Sequence, residues 1–227
     1  MKNLRNSITD VVQSKAIRGG SLETIVPELY SLRECIEINS WHDHQSVFDH
    51  TTSVLAAFEE FLDELSFSAK QHDVLFLKYL SSHVYGISHS DLIRLGILFH
   101  DIAKPVTFEI DAKSGMTNCP HHEVHSALST IKLAHAFDLP KGTVRTIAQL
   151  ALHHMIANTV VNTAMKGESE RVFGAFQETV SDLYIPLLIL AKCDALGSDF
   201  PILNPSEFEK RDVCIDAAIR QFSLSLE

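Results

Sequence analysis

The stretch Ser90-Asp-Leu-Ile-Arg-Leu-Gly-Ile-Leu-Phe-His-Asp-Ile-Ala-Lys-Pro105 decides how the chain is read. Leu92, Leu95, Gly96, Phe99 and Ala103 recur at helical spacing, which predicts a helix with one face to bury. Ser90 is a suitable N-cap, because its hydroxyl can accept a hydrogen bond from an N–H of the first turn. Pro105 is expected to stop the helix, with Lys104 in its last turn. His100 falls four residues after Gly96, on the buried side, with Asp101 beside it. Burying both groups is costly unless something satisfies them. One solution is a metal ion, since neutral imidazole and carboxylate both ligate divalent first-row metals. The other is a core histidine bonded to a carbonyl beside a solvent-facing aspartate, and for an isolated pair that is the commoner case.

Outward from this helix, the same conflict between burial and polarity recurs. Ser46 with Asp49 resembles a capping box, and Val47, His50, Val54, Phe58, Phe61, Leu62 and Leu65 follow at helical spacing, so His50 lies on a core face. A helix over 143–156 carries Val144, Ile147, Leu150, Ala151 and His154 on one stripe. Leu183, Leu187, Leu190 and Asp194 fall at intervals of four, three and four, so Asp194 continues an apolar stripe, where an unpaired carboxylate is expensive. Further helices are expected from Ser21 to Ile36, over 69–85, 121–137 and 168–180, and from Pro205 to Phe222. Asn39 to Gln45 reads as a polar loop with Trp41 and His42. Residues 106–117 carry the one strand-like signal, a small hairpin or extended loop with a Gly turn. Helix dominates without βαβ alternation, so the expectation is one all-α helical bundle over 21–227, preceded by an arm over 1–20 that ends in Gly19-Gly20.

Composition narrows the function. The 227 residues suffice for a sizeable core, and no apolar run reaches the length of a membrane span. The N-terminus has no secretory h-region, and the four cysteines show no paired spacing, which together suggest reduced thiols in the cytoplasm. A net charge of -10 argues against a general nucleic-acid surface, though not against a small phosphorylated substrate met by a metal. The thirteen histidines are the anomaly, with tight groups at His121, His122 and His125 and at His153 and His154. The polar residues that interrupt buried stripes or start helices are imidazoles and carboxylates. Such a mixed set suits Fe, Mn, Co, Ni or Zn better than Mg or Ca, and helical bundles build metal sites by projecting such groups inward.

These residues resemble the HD-domain metal-dependent phosphohydrolases, whose H…HD…H…H…D pattern maps onto His50, His100-Asp101, His121, His153 and Asp194. The nearest likeness is to the HD module of bacterial CCA-adding tRNA nucleotidyltransferases, through Phe48-Asp49-His50-Thr51, Phe99 to Pro105, His121 to Val124, His153-His154-Met155 and Asp194-Ala195-Leu196-Gly197. No nucleotidyltransferase head is read in this chain, so CCA addition does not carry over.

The resemblance implies one or two divalent transition-metal ions held by His50, His100, Asp101, His121, His153 and Asp194. With one metal, His121 and His153 would line the pocket instead. Asp101 is the expected catalytic carboxylate, orienting a metal-bound hydroxide for attack on phosphorus, and Lys104 the expected phosphate contact. His42, His122 and His154 are the expected substrate-binding residues. The implied reaction is hydrolysis of a phosphomonoester or phosphodiester of a nucleotide-like substrate, as a 2′,3′-cyclic phosphodiesterase, nucleotidase or phosphatase. The alternatives are a catalytically silent metal-binding nucleotide sensor or docking module, and a di-iron oxygenase.

Overall fold

The computed structural model describes residues 8–227. Two short helices open it, α1 (Ile8–Val11) and α2 (Ser14–Arg18), and bury Ile8 and Ile17 in the same core as the rest of the chain. The first seven residues of the expected arm lie outside the described residues. The expected helix from Ser21 to Ile36 is not continuous. Pro27 starts a short helix, α3 (Pro27–Ser31), and a 3₁₀ turn leads into a hairpin of β1 (Ile36–Ile38) and β2 (Asp43–Ser46). The reason is local: proline favours the first turn of a helix over its interior, so the periodic run divides there. The polar loop 39–45 is therefore partly the second strand of that hairpin.

Ser46 caps α4 (Val47–Phe67) as its sequence implied. Its Oγ accepts from the Asp49 N–H at 3.0 Å and donates to Asp49 Oδ2 at 2.7 Å. Helix α5 (Gln71–Ser81) ends earlier than its periodicity suggested. The hairpin of β3 (His83–Val84) and β4 (Ile87–Ser88) takes over, turning at Gly86, whose φ of 92° suits glycine. Helix α6 (His89–Phe99) is capped by Ser88 rather than Ser90, with Ser88 Oγ accepting from the Asp91 N–H at 3.0 Å.

Pro105 does not end α6. The helix stops at Phe99, residues 101–103 turn, and Pro105 lies in the first turn of α7 (Lys104–Thr107). Lys104 thus begins a helix instead of closing one. The hairpin β5 (Glu109–Ile110) and β6 (Thr117–Asn118) follows, then α8 (His122–Leu133), α9 (Lys141–Ala164), α10 (Ser169–Val180), α11 (Tyr184–Gly197), α12 (Phe200–Leu203) and α13 (Pro205–Leu224). The fold is all-α, with the strands confined to small two-stranded sheets.

Helix α11 is central. It packs against α4, α6, α9 and α13 and buries residues all around, including Ile185, Leu187, Leu188, Ile189 and Leu190. Each such side chain contributes about 1.5–3 kcal/mol of burial, an upper figure for an extended unfolded chain.

Two glycines let the helices that carry the site approach closely. A Cβ on Gly197 would lie 2.4 Å from the Val54 backbone N, so α11 meets α4 there only as glycine. Gly197 is three residues after Asp194, and Val54 is four after His50. A Cβ on Gly96 would lie 2.8 Å from Leu150 Cδ1. Gly96 precedes His100 by four residues, and Leu150 precedes His154 by four. Each close contact is one helical turn from the residues it brings together.

Candidate metal centre

Three buried groups meet where α4, α6 and α11 converge. His50 Nε2 lies 2.9 Å from Asp194 Oδ1, and His100 Nε2 lies 3.7 Å from the same oxygen. His100, Asp101 and Asp194 arrive from helix ends or the turn after α6, and His50 from the first turn of α4. Against this inner group sits an outer one. His122 Nε2 is 3.1 Å and His154 Nε2 3.7 Å from Asp101 Oδ1, and the two imidazole nitrogens are 3.1 Å apart. Asp101 joins the groups, because its Oδ2 faces His100 Nε2 at 3.1 Å and His50 Nε2 at 3.6 Å. The triads His50–His100–Asp194 and Asp101–His122–His154 each bring three ligand-type atoms within metal-sharing distance.

The tautomers are set by backbone. The Nδ1–H of His100 donates to Ile97 O, that of His122 to Cys119 O and that of His154 to Ala151 O, each at 2.7 Å. A carbonyl can only accept, so Nδ1 carries a proton and Nε2 is the atom aimed at the centre, free to ligate a cation in place of a second proton. This arrangement orients metal-ligating histidines. Among the described residues, His100 Nε2 and Asp101 Oδ1 are buried without a hydrogen-bond partner, and so is His50 Nδ1. Buried groups of this kind are normally satisfied. Converging imidazole N and carboxylate O atoms, two of them without a partner, fit a divalent transition metal.

Electrostatics agree. Burial opposes ionisation of Asp101 and Asp194, yet the cations and donors around them hold both carboxyls well below the usual carboxylate range. Burial likewise opposes a charge on His100, but Asp101 and Asp194 outweigh it and raise that imidazole to about 10. The cluster thus draws positive charge, which a bound cation would supply in place of a proton. His154 goes the other way, lowered to about 3 by burial and then by the charge on His100.

The structure places His50, His100, Asp101 and Asp194 together. It does not bring His121 or His153 to them, and their neighbours His122 and His154 stand there instead. The His121 side chain is 83% exposed against 8% for His122. His121 adopts a left-handed backbone, φ 59°, at the N-cap of α8, which starts the helix with His122 facing inward. On α9, adjacent residues sit about 100° apart around the axis, so His153 turns away when His154 points in. His125 is exposed.

The outer triad lies on the floor of a cleft of about 470 Å³, whose walls include Trp41, Asn118, Met155 and Asn158. Lys104 lines it too, but is buried. Its Nζ donates to Glu37 Oε2 at 2.7 Å and pairs with Asp101 Oδ2 at 2.9 Å. Burial opposes its charge, and the two carboxylates outweigh that and raise its pKa. His42 donates from Nδ1 to Gln45 Oε1 at 2.6 Å, an amide oriented by its own donation to Gly197 O. His42 Nε2 is then an acceptor, 3.6 Å from Glu37 Oε2. Burial, then the charge of His50, lowers His42 to about 4. Trp41 stacks on Phe200 at 4.5 Å.

Sequence reasoning missed Glu37, Asn158 and Arg211. Glu37 stands between Ile36 and Ile38 in β1 with its side chain inward, and alternation in a strand was the signal. Asn158 follows His154 by four on the same helix, and its Nδ2 donates to Asp194 Oδ2 at 3.0 Å. Arg211 precedes Ile215 by four on the buried stripe of α13.

No curated protein matches the chain. Residues 47–198, more than half of its length, match the HD domain, and they contain all six residues of the two triads. The family comprises metal-dependent phosphohydrolases together with some non-catalytic members. The chain belongs to the HD domain family.

Proposed function

We propose that the chain is a metal-dependent phosphohydrolase that cleaves a phosphomonoester or phosphodiester of a nucleotide-like substrate. The observation that carries this reading is the pair of His/Asp triads joined through Asp101, whose second oxygen faces the inner histidines, beside an open cleft. His50, His100, Asp101 and Asp194 would hold one divalent ion, and Asp101, His122 and His154 a second, drawn from Fe, Mn, Co, Ni or Zn. When bound, such an ion lowers the pKa of a coordinated water enough to supply a nucleophile near neutral pH.

The chain's own residues do the rest. Asp101 is pinned from one side by Lys104 and faced by four imidazoles, so its carboxylate cannot swing away from the centre. Lys104 spends two of its three donors on Asp101 and Glu37, and the third remains for a phosphoryl oxygen. His42, with Nε2 unprotonated, accepts a hydrogen bond from a substrate hydroxyl. The Trp41 edge of the cleft offers an apolar wall to a base. The finer kinship, to the HD module of CCA-adding enzymes, rests on the motif residues around His50, His100-Asp101 and Asp194.

The experiment is metal analysis of the purified chain with a panel of phosphomonoesters, nucleotides and cyclic phosphodiesters, comparing wild type, Asp101→Ala and Asp101→Asn. The expected result is bound transition metal and hydrolysis in wild type, with activity reduced at least about 10²–10³-fold in both variants, the scale of losing one electrostatic stabiliser. Metal retained with no hydrolysis of any phosphoester would sink the enzymatic reading and leave a metal-binding sensor.

A further inference from the structure

Arg211 lies on α13, beyond the residues that match the family. It is fully buried, and among the described residues no carboxylate lies within salt-bridge distance of it and its Nε has no partner. A buried cation without an ion pair is costly, so its surroundings must compensate it. They are two side-chain amides and an indole. Arg211 donates to Asn162 Oδ1 at 2.9 Å and to Asn158 Oδ1, and its guanidinium sits 5.3 Å over the Trp41 ring.

A guanidinium only donates, so it must meet the oxygen of each amide. That settles which way Asn158 faces: Oδ1 toward Arg211, and Nδ2 toward Asp194 Oδ2. Asp194 therefore has Oδ2 occupied and Oδ1 directed at His50 and His100. His154, Asn158 and Asn162 recur every four residues along α9, one stripe that reaches Asp101, Asp194 and Arg211 in turn.

We propose that Arg211 is a positioning residue for the metal centre: acting through Asn158, it fixes the carboxylate of Asp194 so that Oδ1 is presented to a metal. This rests on the metal-binding reading above. Without the guanidinium, Asn158 is free to turn its oxygen toward Asp194 Oδ2, acceptor against acceptor, and the carboxylate loses its fixed edge.

The test is Mn²⁺ binding by calorimetry to the full chain stripped of metal, for wild type, Arg211→Met, Asn158→Ala and the double variant, with folding checked by circular dichroism. Each single variant is expected to bind about 10–100-fold more weakly, the usual effect of losing a group that orients a ligand. The double variant is expected to fall within about threefold of the weaker single one, because both act through one contact. Arg211→Lys keeps the charge without the fork and is expected to stay weak.

Factors that multiply in the double variant would assign Arg211 a general structural role and overturn the proposal. Unchanged Mn²⁺ affinity in Asn158→Ala overturns it even if Arg211→Met fails to fold, and Arg211→Gln then completes the cycle. A wild-type chain that binds no Mn²⁺ overturns the metal reading and this inference together. A wild-type chain that binds it, with variants that bind it equally, overturns this inference alone.

Discussion

His50, His100 and Asp194 come from α4, α6 and α11; α11 packs tightly on α4 at Gly197 against Val54, and α6 on α9 at Gly96 against Leu150. His122 and His154 come from the cleft side, one from the first residue of α8 and one from the middle of α9. The inner triad is closed by helix packing, and its geometry follows from where apolar stripes run. The outer triad depends on a single left-handed residue, His121, and opens onto the cleft. All six groups are buried; the three residues of the outer triad line the cleft, whereas of the inner triad only Asp194 reaches it. Asp101 belongs to both, and it is the one residue whose two oxygens face different halves.

The largest way to disturb this division is to remove the counter-charge on the shared residue. Lys104→Met leaves Asp101 and Glu37 as buried carboxylates without their common cation. The expected cost is about 3–5 kcal/mol of stability, read as a fall in Tm of roughly 10 °C for a chain of this size. Added Mn²⁺ should restore part of that at Asp101 and none at Glu37. Full recovery would mean that Glu37 does not need Lys104.

A second test addresses the inner wall through His42, whose ring meets the His50 ring at 4.8 Å. Its folded pKa, about 4, lies below the unfolded value of 6.5. Above pH 6.5 it is neutral in both states and its contribution is complete. As the pH falls toward 4, the unfolded chain binds a proton that the fold refuses, and stability drops by about 3 kcal/mol. Denaturant melts of wild type and His42→Gln across pH 4–7 should diverge by this amount, with the variant the less acid-sensitive. Parallel curves would show that His42 takes up a proton in the fold.

The smallest effects separate adjacent histidines. His122→Ala or His154→Ala should reduce bound metal to about one per chain and slow hydrolysis at least about tenfold, or 1.4 kcal/mol. His121→Ala, at an exposed side chain, and His153→Ala, at a half-buried one that faces away from the centre, should change the rate by no more than about twofold. Metal stoichiometry and initial rates for the four variants decide it, and the reverse ranking would restore His121 and His153 as the outer pair.

How much of this was legible follows the same division. His50 has no histidine beside it, so its place on a 3.6-residue stripe was enough to turn it inward, and the same holds for Asp194. His121 and His122 compete for one role, and the choice depends on where α8 begins, which a left-handed turn decides. For His153 and His154 the stripe through Ile147, Leu150 and Ala151 already favoured His154, and it was the family pattern that pointed to its neighbour. The helix from Ser21 to Ile36 and the stop at Pro105 failed for one reason: proline reads as a break or as a start, and only packing distinguishes them. Glu37 and Arg211 sit on local patterns that turn them inward, but the partners that satisfy them there, Lys104 and the two α9 asparagines, lie far along the chain.

By itself the sequence determined the all-α architecture, the HD doublet, and the helices on which His50, His100 and Asp194 stand, because apolar periodicity and caps act over one or two turns. Only the tertiary structure decided which imidazoles complete the centre, which carbonyls orient them, and that Lys104 and Arg211 are buried cations. Those outcomes depend on helix register and on contacts between residues distant in the chain, and no local pattern of side chains contains them.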